Sequence, residues 1–368
     1  MLAADLSIDF HLGAGRAHEE ENDLDAAGES YENAVSLGLL MIETLQHESS
    51  KRELSVSLDS LARVKELQGL LREAKPLYED GLKLIEELRD KNGGTISLER
   101  DYAVSLDNLA RVSWKMGNVD VARRRYVEAF EVTQRLAEWQ PNDVEPQLDL
   151  VDAYRNLATF ENSEGLVDAA ISHLESAVKT IHLWTFRNPS LQLYASYGSL
   201  LLELADLRDS RGEGRFLLDI LARALKMYER ASELTTDDKI RLQQARASLR
   251  VATHLSKFRV GALSPEPYFV QAFQISMEVL KKHSDWDEAK LLVVDVLNNY
   301  LKECEVHPQK QLTLLFVCRG ILTTMLVNDW PVHVLRSLLE VDERILEYRD
   351  LLGSESSSIE AEASKIEE

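Results

Sequence analysis

The amino-acid sequence predicts an all-α protein built as an array of repeats. The octapeptide SLDSLARV at Ser57–Val64 recurs as SLDNLARV at Ser105–Val112, forty-eight positions later and with one difference. Leu, Ala, Glu and Arg are abundant, Gly and Pro are few, and β-branched residues form no alternating runs, which favours helices over strands. A chain of 368 residues is long enough for two or three compact domains or for one elongated array, and the recurrence favours the array.

The recurrence extends well beyond the octapeptide. Apolar residues follow one another at spacings of three and four over some twenty positions on each side of a Gly or Asn, which predicts two helices per unit. Small residues let the two helices approach closely, and Gly or Asn accepts the left-handed conformation that ends the first helix. Equivalent positions in five units, from the small residues through the turn to the second helix, are Ala14, Gly15, Asn22, Ala27 and Tyr31; Leu61, Ala62, Gly69, Ala74 and Tyr78; Leu109, Ala110, Gly117, Ala122 and Tyr126; Leu157, Ala158, Gly165, Ala170 and Leu174; Leu204, Ala205, Gly212, Leu217 and Leu221.

This order of residues resembles the tetratricopeptide repeat, specifically in the first four units and more loosely in the fifth. The units are 47–48 residues long, whereas the familiar repeat has roughly 34, so we expect each helix to be longer by a turn or two. Such long units are similar to those of bacterial regulatory and signalling proteins. The resemblance implies a right-handed superhelical array, an α-solenoid, of about six to seven antiparallel helix pairs with a C-terminal capping helix.

The pattern divides the chain into four parts. Five repeats occupy residues 1–230, and degenerate helical hairpins are expected to continue the array over residues 231–328. The segment DWP then starts a last amphipathic helix over 329–353, because Asp is a good N-cap and Pro suits a first helical turn. This helix is expected to cap the apolar end of the array, with dimerisation as the alternative, so the oligomeric state stays open. The acidic, Ser-rich tail 354–368 is expected to be disordered.

Charge and cysteine content exclude several classes of protein. The net charge is −21, and the segments 1–50 and 353–368 supply −14 of it, which argues against binding to nucleic acid or to anionic membranes. The most apolar segment, QLTLLFVCRGILTTMLV, contains Arg319 and is too short to span a bilayer. Two cysteines, Cys304 and Cys318, make no disulfide framework, and the N-terminus does not resemble a signal peptide. We therefore expect a cytoplasmic protein.

No motif predicts catalysis, a metal site or a cofactor. The segment HEEEN lacks the second His of a zinc-protease motif, and GAG near the N-terminus lacks the third Gly of a dinucleotide-binding turn. Neither a nucleophile elbow nor a phosphate-binding loop is present in the sequence. The sequence thus favours a protein that is not an enzyme.

The resemblance implies that the first helix of each pair lines a concave groove. The register places one row of arginines on this face: Arg16, Arg63 and Arg111. The position four residues earlier in the five repeats holds Leu12, Asp59, Asp107, Arg155 and Leu202, and the position three residues later holds Glu19, Glu66, Trp114, Asn162 and Asp209. The predicted partner-binding residues are Arg16, Asp59, Arg63, Glu66, Asp107, Arg111, Trp114 and Arg155.

Two interpretations of the arginine row are open. Asp and Arg four residues apart can pair within one helix, or they can bridge neighbouring repeats as a structural ladder. Alternatively, the arginines bind an extended partner segment with acidic groups at every third residue, since Arg forms bidentate contacts with carboxylates. Arg16 has Leu12 four positions earlier, so pairing within the helix does not account for it. On the binding interpretation, charge reversal at Arg63 and Arg111 abolishes partner capture and leaves the fold intact.

The function that the sequence favours is a protein–protein interaction scaffold or adaptor that binds a partner protein or an extended peptide. The alternative is a ligand-gated regulator of a bacterial signalling or defence effector, such as a protease or a transcription factor. Binding of nucleic acid by the arginine row is a third hypothesis, which the sparse arginines and the acidic ends of the chain oppose.

Overall fold

The computed structural model describes residues 2–45, 48–258, 263–303, 308–324 and 341–348. The described residues include the fourteen α-helices named below, and within each unit neighbouring helices pack against each other, which confirms the predicted all-α array of helix pairs. The helices are α1 Leu2–Glu20, α2 Leu24–Leu45, α3 Glu48–Leu67, α4 Leu71–Asn92, α5 Ile96–Lys115, α6 Val119–Trp139, α7 Val144–Ser163, α8 Val167–Arg187, α9 Leu191–Ser210, α10 Leu218–Glu233, α11 Asp238–Phe258, α12 Glu266–Lys282, α13 Asp287–Glu303 and α14 Pro308–Thr324.

The chain divides into two compact units, Met1–Thr180 and Ile181–Glu368. In the second unit, the described residues 341–348 are helical, and Val341 and Ile345 are buried in the same apolar cluster as residues of α13 and α14. The remainder of the helix predicted over 329–353, and all of the predicted tail 354–368, lie outside the described residues.

Five of the hairpin turns share one backbone geometry. In the third repeat, the Gly117 N–H donates to the Trp114 carbonyl at 2.8 Å, and the Asn118 N–H donates to the Ser113 carbonyl at 2.9 Å. This pair of hydrogen bonds is the Schellman motif, which needs a residue of positive φ directly after the C-cap residue, Met116 in this repeat. The predicted turn residues occupy that position in all five repeats, with φ values of 60° at Asn22, 80° at Gly69, 79° at Gly117, 75° at Gly165 and 90° at Gly212.

A pair of glycine substitutions tests this assignment. We expect Gly117→Ala to lower the free energy of unfolding by about 1–2 kcal/mol, because a Cβ atom clashes with the backbone in the left-handed conformation. Gly13, in the middle of α1, has nothing near the position of a Cβ atom, so Gly13→Ala should be neutral or stabilise by about 0.5–1 kcal/mol. Urea unfolding of both variants measures the difference, and equal effects would contradict the turn assignment.

The core lies where the two helices of each pair cross. Ala62 and Ala110 are fully buried. Each lies in one apolar cluster with the tyrosine of the following helix, Tyr78 for Ala62 and Tyr126 for Ala110. In the first repeat, Gly15 takes the position of the alanine, and a Cβ atom there would lie 2.4 Å from the ring of Tyr31. The buried side of each first helix is thus fully used in packing, and its other side is left to carry polar side chains.

Candidate functional site

The candidate site lies in the first unit, on the polar side of the first helices α1, α3, α5 and α7. We call this side the A-face and define it by the residues 52–66 of α3, 100–115 of α5 and 145–156 of α7, with Glu19 of α1. Polar side chains on the A-face reach from each first helix to the first helix of the neighbouring repeat. These contacts form three rows.

The first row joins an arginine to a glutamate of the preceding repeat. Arg63 Nη2 lies 2.5 Å from Glu19 Oε2, and Arg111 Nη1 forms the equivalent ion pair with Glu66 Oε1. The side chains of Asp59 and Asp107 are engaged elsewhere, and among the described contacts neither is within salt-bridge distance of the arginine four residues later. Of the two pairings that the sequence left open, the structure shows Arg63 and Arg111 paired between repeats and not within one helix.

The two rungs of this row differ in burial. The Glu66 side chain is 1% exposed and the Arg111 side chain 30%, whereas Glu19 and Arg63 are 11% and 46% exposed. Glu66 also accepts a hydrogen bond of 3.0 Å from the Tyr78 hydroxyl and lies 2.9 Å from Lys115 Nζ. Burial raises the pKa of the Tyr78 hydroxyl well above its ordinary value, so it remains a hydrogen-bond donor to Glu66.

The second row joins an aspartate to amide and hydroxyl donors of the following repeat. Asp59 Oδ2 accepts from Ser105 Oγ at 3.1 Å and from Asn108 Nδ2 at 3.5 Å, and Asp107 Oδ2 accepts from Asn156 Nδ2 at 2.9 Å. Burial raises the pKa of Asp59 to about 7 and that of Asp107 to about 6. The two copies of the octapeptide differ at Ser60 and Asn108. Only Asn108 donates to an aspartate of this row, since the Ser60 hydroxyl donates to the Val56 carbonyl of its own helix.

The Asp59 carboxylate has one oxygen without a hydrogen-bond partner. Its Oδ1 is buried and lies against α4 at Gly81, where a Cβ atom would come within 2.7 Å of it. Gly81 is therefore the residue that leaves room for this carboxylate. The next repeat has Ala129 at the equivalent position.

The third row is not among the residues predicted from the sequence. Arg52 binds Asp101 through Nε and Nη2, at 2.5 and 3.2 Å, and Arg100 binds Asp149 through the same two atoms, at 2.7 and 2.8 Å. Arg100 also lies 2.7 Å from Glu145. The two arginines are 48 positions apart, as are Asp101 and Asp149, so the same register would have indicated equivalent pairs.

The remaining predicted residues have separate surroundings. Arg16 is exposed, and its Nε donates to the Leu12 carbonyl at 3.2 Å. Arg155 lies 3.8 Å from Asp152 on its own helix. The Trp114 ring stands edge-on to Phe160 at 6.0 Å and packs at the margin of an apolar cluster. The structure therefore places Arg63, Glu66, Asp107 and Arg111 in polar rows between repeats, and Trp114 in packing.

Two open pockets lie between the rows in consecutive repeats. The first, between α3 and α5, has a volume of about 330 Å³, and the second, between α5 and α7, has a volume of about 160 Å³. Their lining residues correspond in the 48-residue register. The first pocket includes Val56, Asp59, Ser60, Asp101 and Val104, and the second includes Val104, Asp107, Asn108, Asp149 and Asp152.

In the part of the chain that the structure describes, three or more His, Cys, Asp or Glu side chains nowhere come together as a metal ion would require. None of the described helices has both the length and the apolar content needed to cross a membrane.

Comparison with known proteins agrees with this architecture. The tetratricopeptide repeat family model matches residues 103–142, which include most of α5 and all of α6. The fold is similar to the crystal structure of BtubC from P. vanneervenii, with 17% identity, a TM-score of 0.50 and coverage of 71% of this chain and 91% of that one. It is also similar to a Rap protein complexed with competence and sporulation factor, with 14% identity, a TM-score of 0.50 and coverage of 94% and 77%.

A comparison with curated proteins found no match to this chain. The two solved structures show the fold, and the family match lies on the repeat that contains the second octapeptide. Together with the five equivalent turns, these findings show that the chain contains tetratricopeptide repeats.

Proposed function

We propose that this protein is a non-enzymatic interaction scaffold that binds an extended segment of a partner protein along the A-face. Tetratricopeptide repeats typically serve as interaction scaffolds. The observation that carries the proposal is the pair of equivalent pockets. Each is bordered by an exposed apolar side chain, Val56 at 43% and Val104 at 52% exposure, within a face that is otherwise polar.

The repetition of the pockets favours an extended ligand. Neighbouring packed helices are about 8–10 Å apart. A peptide in the extended polyproline II conformation advances about 3.1 Å per residue with three residues per turn, so every third side chain points the same way. One repeat of the scaffold therefore matches about three residues of a bound chain, and such a ligand can present one side chain to each pocket.

The acidic partner segment expected from the arginine row stays a prediction. That prediction requires arginine side chains that are available to a ligand. In the structure, Arg63 is paired with Glu19 and Arg111 with Glu66, so an acidic ligand would have to displace a carboxylate of the protein itself.

Site-specific cross-linking tests the proposed function. A photo-reactive residue replaces Val104 on the A-face, and a matched variant carries it at Val127 of α6, whose side chain is 40% exposed. Irradiation in the native cell should attach a partner to the first variant and not to the second, and mass spectrometry should assign the attachment to one segment of that partner. Attachment at Val127 alone, or equal attachment at both positions, would place the interaction elsewhere.

The regulator hypothesis is also a proposal. The similar Rap structure is described as a complex with competence and sporulation factor, and a shared fold at 14% identity carries no function with it. Small-angle scattering with and without the cross-linked partner segment separates the two hypotheses. A gated regulator should change its radius of gyration when the segment binds, and a passive scaffold should not.

A further inference from the structure

We propose that the two A-face pockets bind basic side chains, so that the partner segment carries two lysine or arginine residues three positions apart. This inference rests on the proposed function and specifies the ligand of the same face. It reverses the charge that the arginine row suggests for the partner.

Both pockets are lined by more acidic than basic side chains. The first has the carboxyl groups of Asp59 and Asp101 and one cation, Arg63. The second has the carboxyl groups of Asp107, Asp149 and Asp152 and one cation, Arg100. Carboxyl groups therefore outnumber cations in each pocket. The surplus is greater in the second pocket, where the Asp152 side chain is also 68% exposed.

The cations of the pockets are already engaged. Arg63 pairs with Glu19, and Arg100 is held by Asp149 on one side and by Glu145 on the other. An acidic ligand would have to break one of these ion pairs before it could form its own. The carboxylates Asp101 and Asp152 also have cationic neighbours, Arg52 and Arg155, but a carboxylate can accept a second cation without losing the first. A basic ligand can therefore add to these groups and leave the existing pairs in place.

The apolar walls support the same class of side chain. Val104 forms part of both pockets, Val56 and Ile85 line the first, and Ala129 and Leu136 line the second. Lysine and arginine have an aliphatic stem that packs on apolar surface and a charged end that remains polar. A pocket with apolar sides and surplus carboxylates fits both parts of such a side chain.

The buried carboxyl groups supply an independent observation. Asp59 has a buried oxygen without a hydrogen-bond partner, and burial raises the pKa values of Asp59 and Asp107. The groups close to Asp59 are Asp101 and Arg111, and those close to Asp107 are Arg111 and Asp152. A ligand cation beside these carboxyls would favour their ionised form, so binding should release protons.

Synthetic peptides test the inference on the full-length protein. The probes are fluorescent twelve-residue peptides of Ser, Ala and Gly that carry two lysines separated by one to six positions, with a parallel set in which glutamate replaces lysine. Fluorescence anisotropy at low and at moderate salt should show the tightest binding for lysines three positions apart. General attraction to an acidic protein would give no such maximum, because it depends on total charge and not on spacing.

Matched variants locate the binding. Asp152→Asn should weaken binding of the best lysine peptide about threefold, the effect expected for one exposed charge, whereas Glu131→Gln on the exposed side of α6 should leave it unchanged. Calorimetry of wild-type protein in two buffers of different ionisation enthalpy should show proton release on binding.

The failures of this inference and of the proposed function are distinguishable. If the glutamate peptides bind more tightly than the lysine peptides, the inference is wrong and an acidic partner stands. If neither set shows a maximum at a spacing of three while Val104 still cross-links to a partner, the inference fails and the scaffold function stands. If Val104 also captures no partner, the proposed function fails with it.

Discussion

Charge reversal at Arg111 should destabilise the first unit far more than the same change at Arg63. In Arg111→Glu, the new carboxylate faces Glu66, whose side chain is 1% exposed and cannot move into water without disturbing α3. Breaking a buried ion pair in this way typically costs about 3–5 kcal/mol, and Lys115, which also lies beside Glu66, should keep the loss toward the lower end of that range. The equivalent pair of Arg63 with Glu19 is more exposed, and its loss should cost about 1 kcal/mol or less.

Thermal unfolding followed by circular dichroism measures this contrast. Amide hydrogen exchange in α3 and α5 then shows whether the loss of stability is local to the Arg111 rung. The two residues occupy the same register position, so each variant serves as the control for the other. Similar melting temperatures for Arg111→Glu and wild type would show that this rung does not hold the repeats together.

This expectation differs from the one that follows from the sequence. There, charge reversal at both arginines abolishes partner capture and leaves the fold intact. The structure shows that Arg111 lies in a network with Glu66, Asn108 and Tyr78, so its variants cannot separate binding from folding. Val104 and Asp152 are better probes of binding, because their side chains are exposed on the A-face.

Replacement of Asp59 by asparagine should stabilise the protein in a manner that depends on pH. Burial raises the pKa of Asp59 from 3.8 to about 7 in the folded state. Between these two values the folded state binds more protons at this residue than the unfolded state does. The contribution of Asp59 to the free energy of unfolding therefore falls as pH rises from about 4 to about 7, and it stays low above pH 7.

The asparagine side chain of the Asp59→Asn variant would remain neutral at every pH and would keep an oxygen that accepts from Ser105. We expect this variant to raise the free energy of unfolding by roughly 2–4 kcal/mol at pH 8, and to have little effect at pH 4. Denaturant titrations at pH 4, 6 and 8 measure this dependence.

Asp107→Asn provides the comparison. The pKa of Asp107 is raised to about 6, so its stabilising effect should be smaller and should reach its full size at a lower pH. A gain for Asp59→Asn that is independent of pH, or a loss of stability at pH 8, would contradict the assignment of Asp59 as a buried carboxyl with a raised pKa.

Much of the architecture follows from the sequence because it depends on residues close together along the chain. Asn22 and Gly117 occupy corresponding positions, and each has the positive φ that ends its helix. Leu61 and Ala62 are buried at the helix crossing, as the repeat predicts. Helix periodicity and turn geometry act over fewer than ten residues, so the local pattern is sufficient to predict them.

The partners of the polar side chains could not be predicted in the same way. Arg63 and Arg111 bind glutamates that lie 44 and 45 positions earlier, and Arg52 binds an aspartate 49 positions later. Such pairs depend on how far one repeat is displaced along its neighbour and on the rotation of each helix about its axis. Packing of the whole hairpin sets both quantities.

The repeat, the helix pairs, the turns and the core residues all follow from the amino-acid pattern. The folded structure was needed to reveal that the arginine row joins neighbouring repeats and that surplus carboxylates line the pockets between them. Hydrophobic periodicity reports which side of a helix is buried, whereas the pairing of charges on the other side requires the positions of two helices at once.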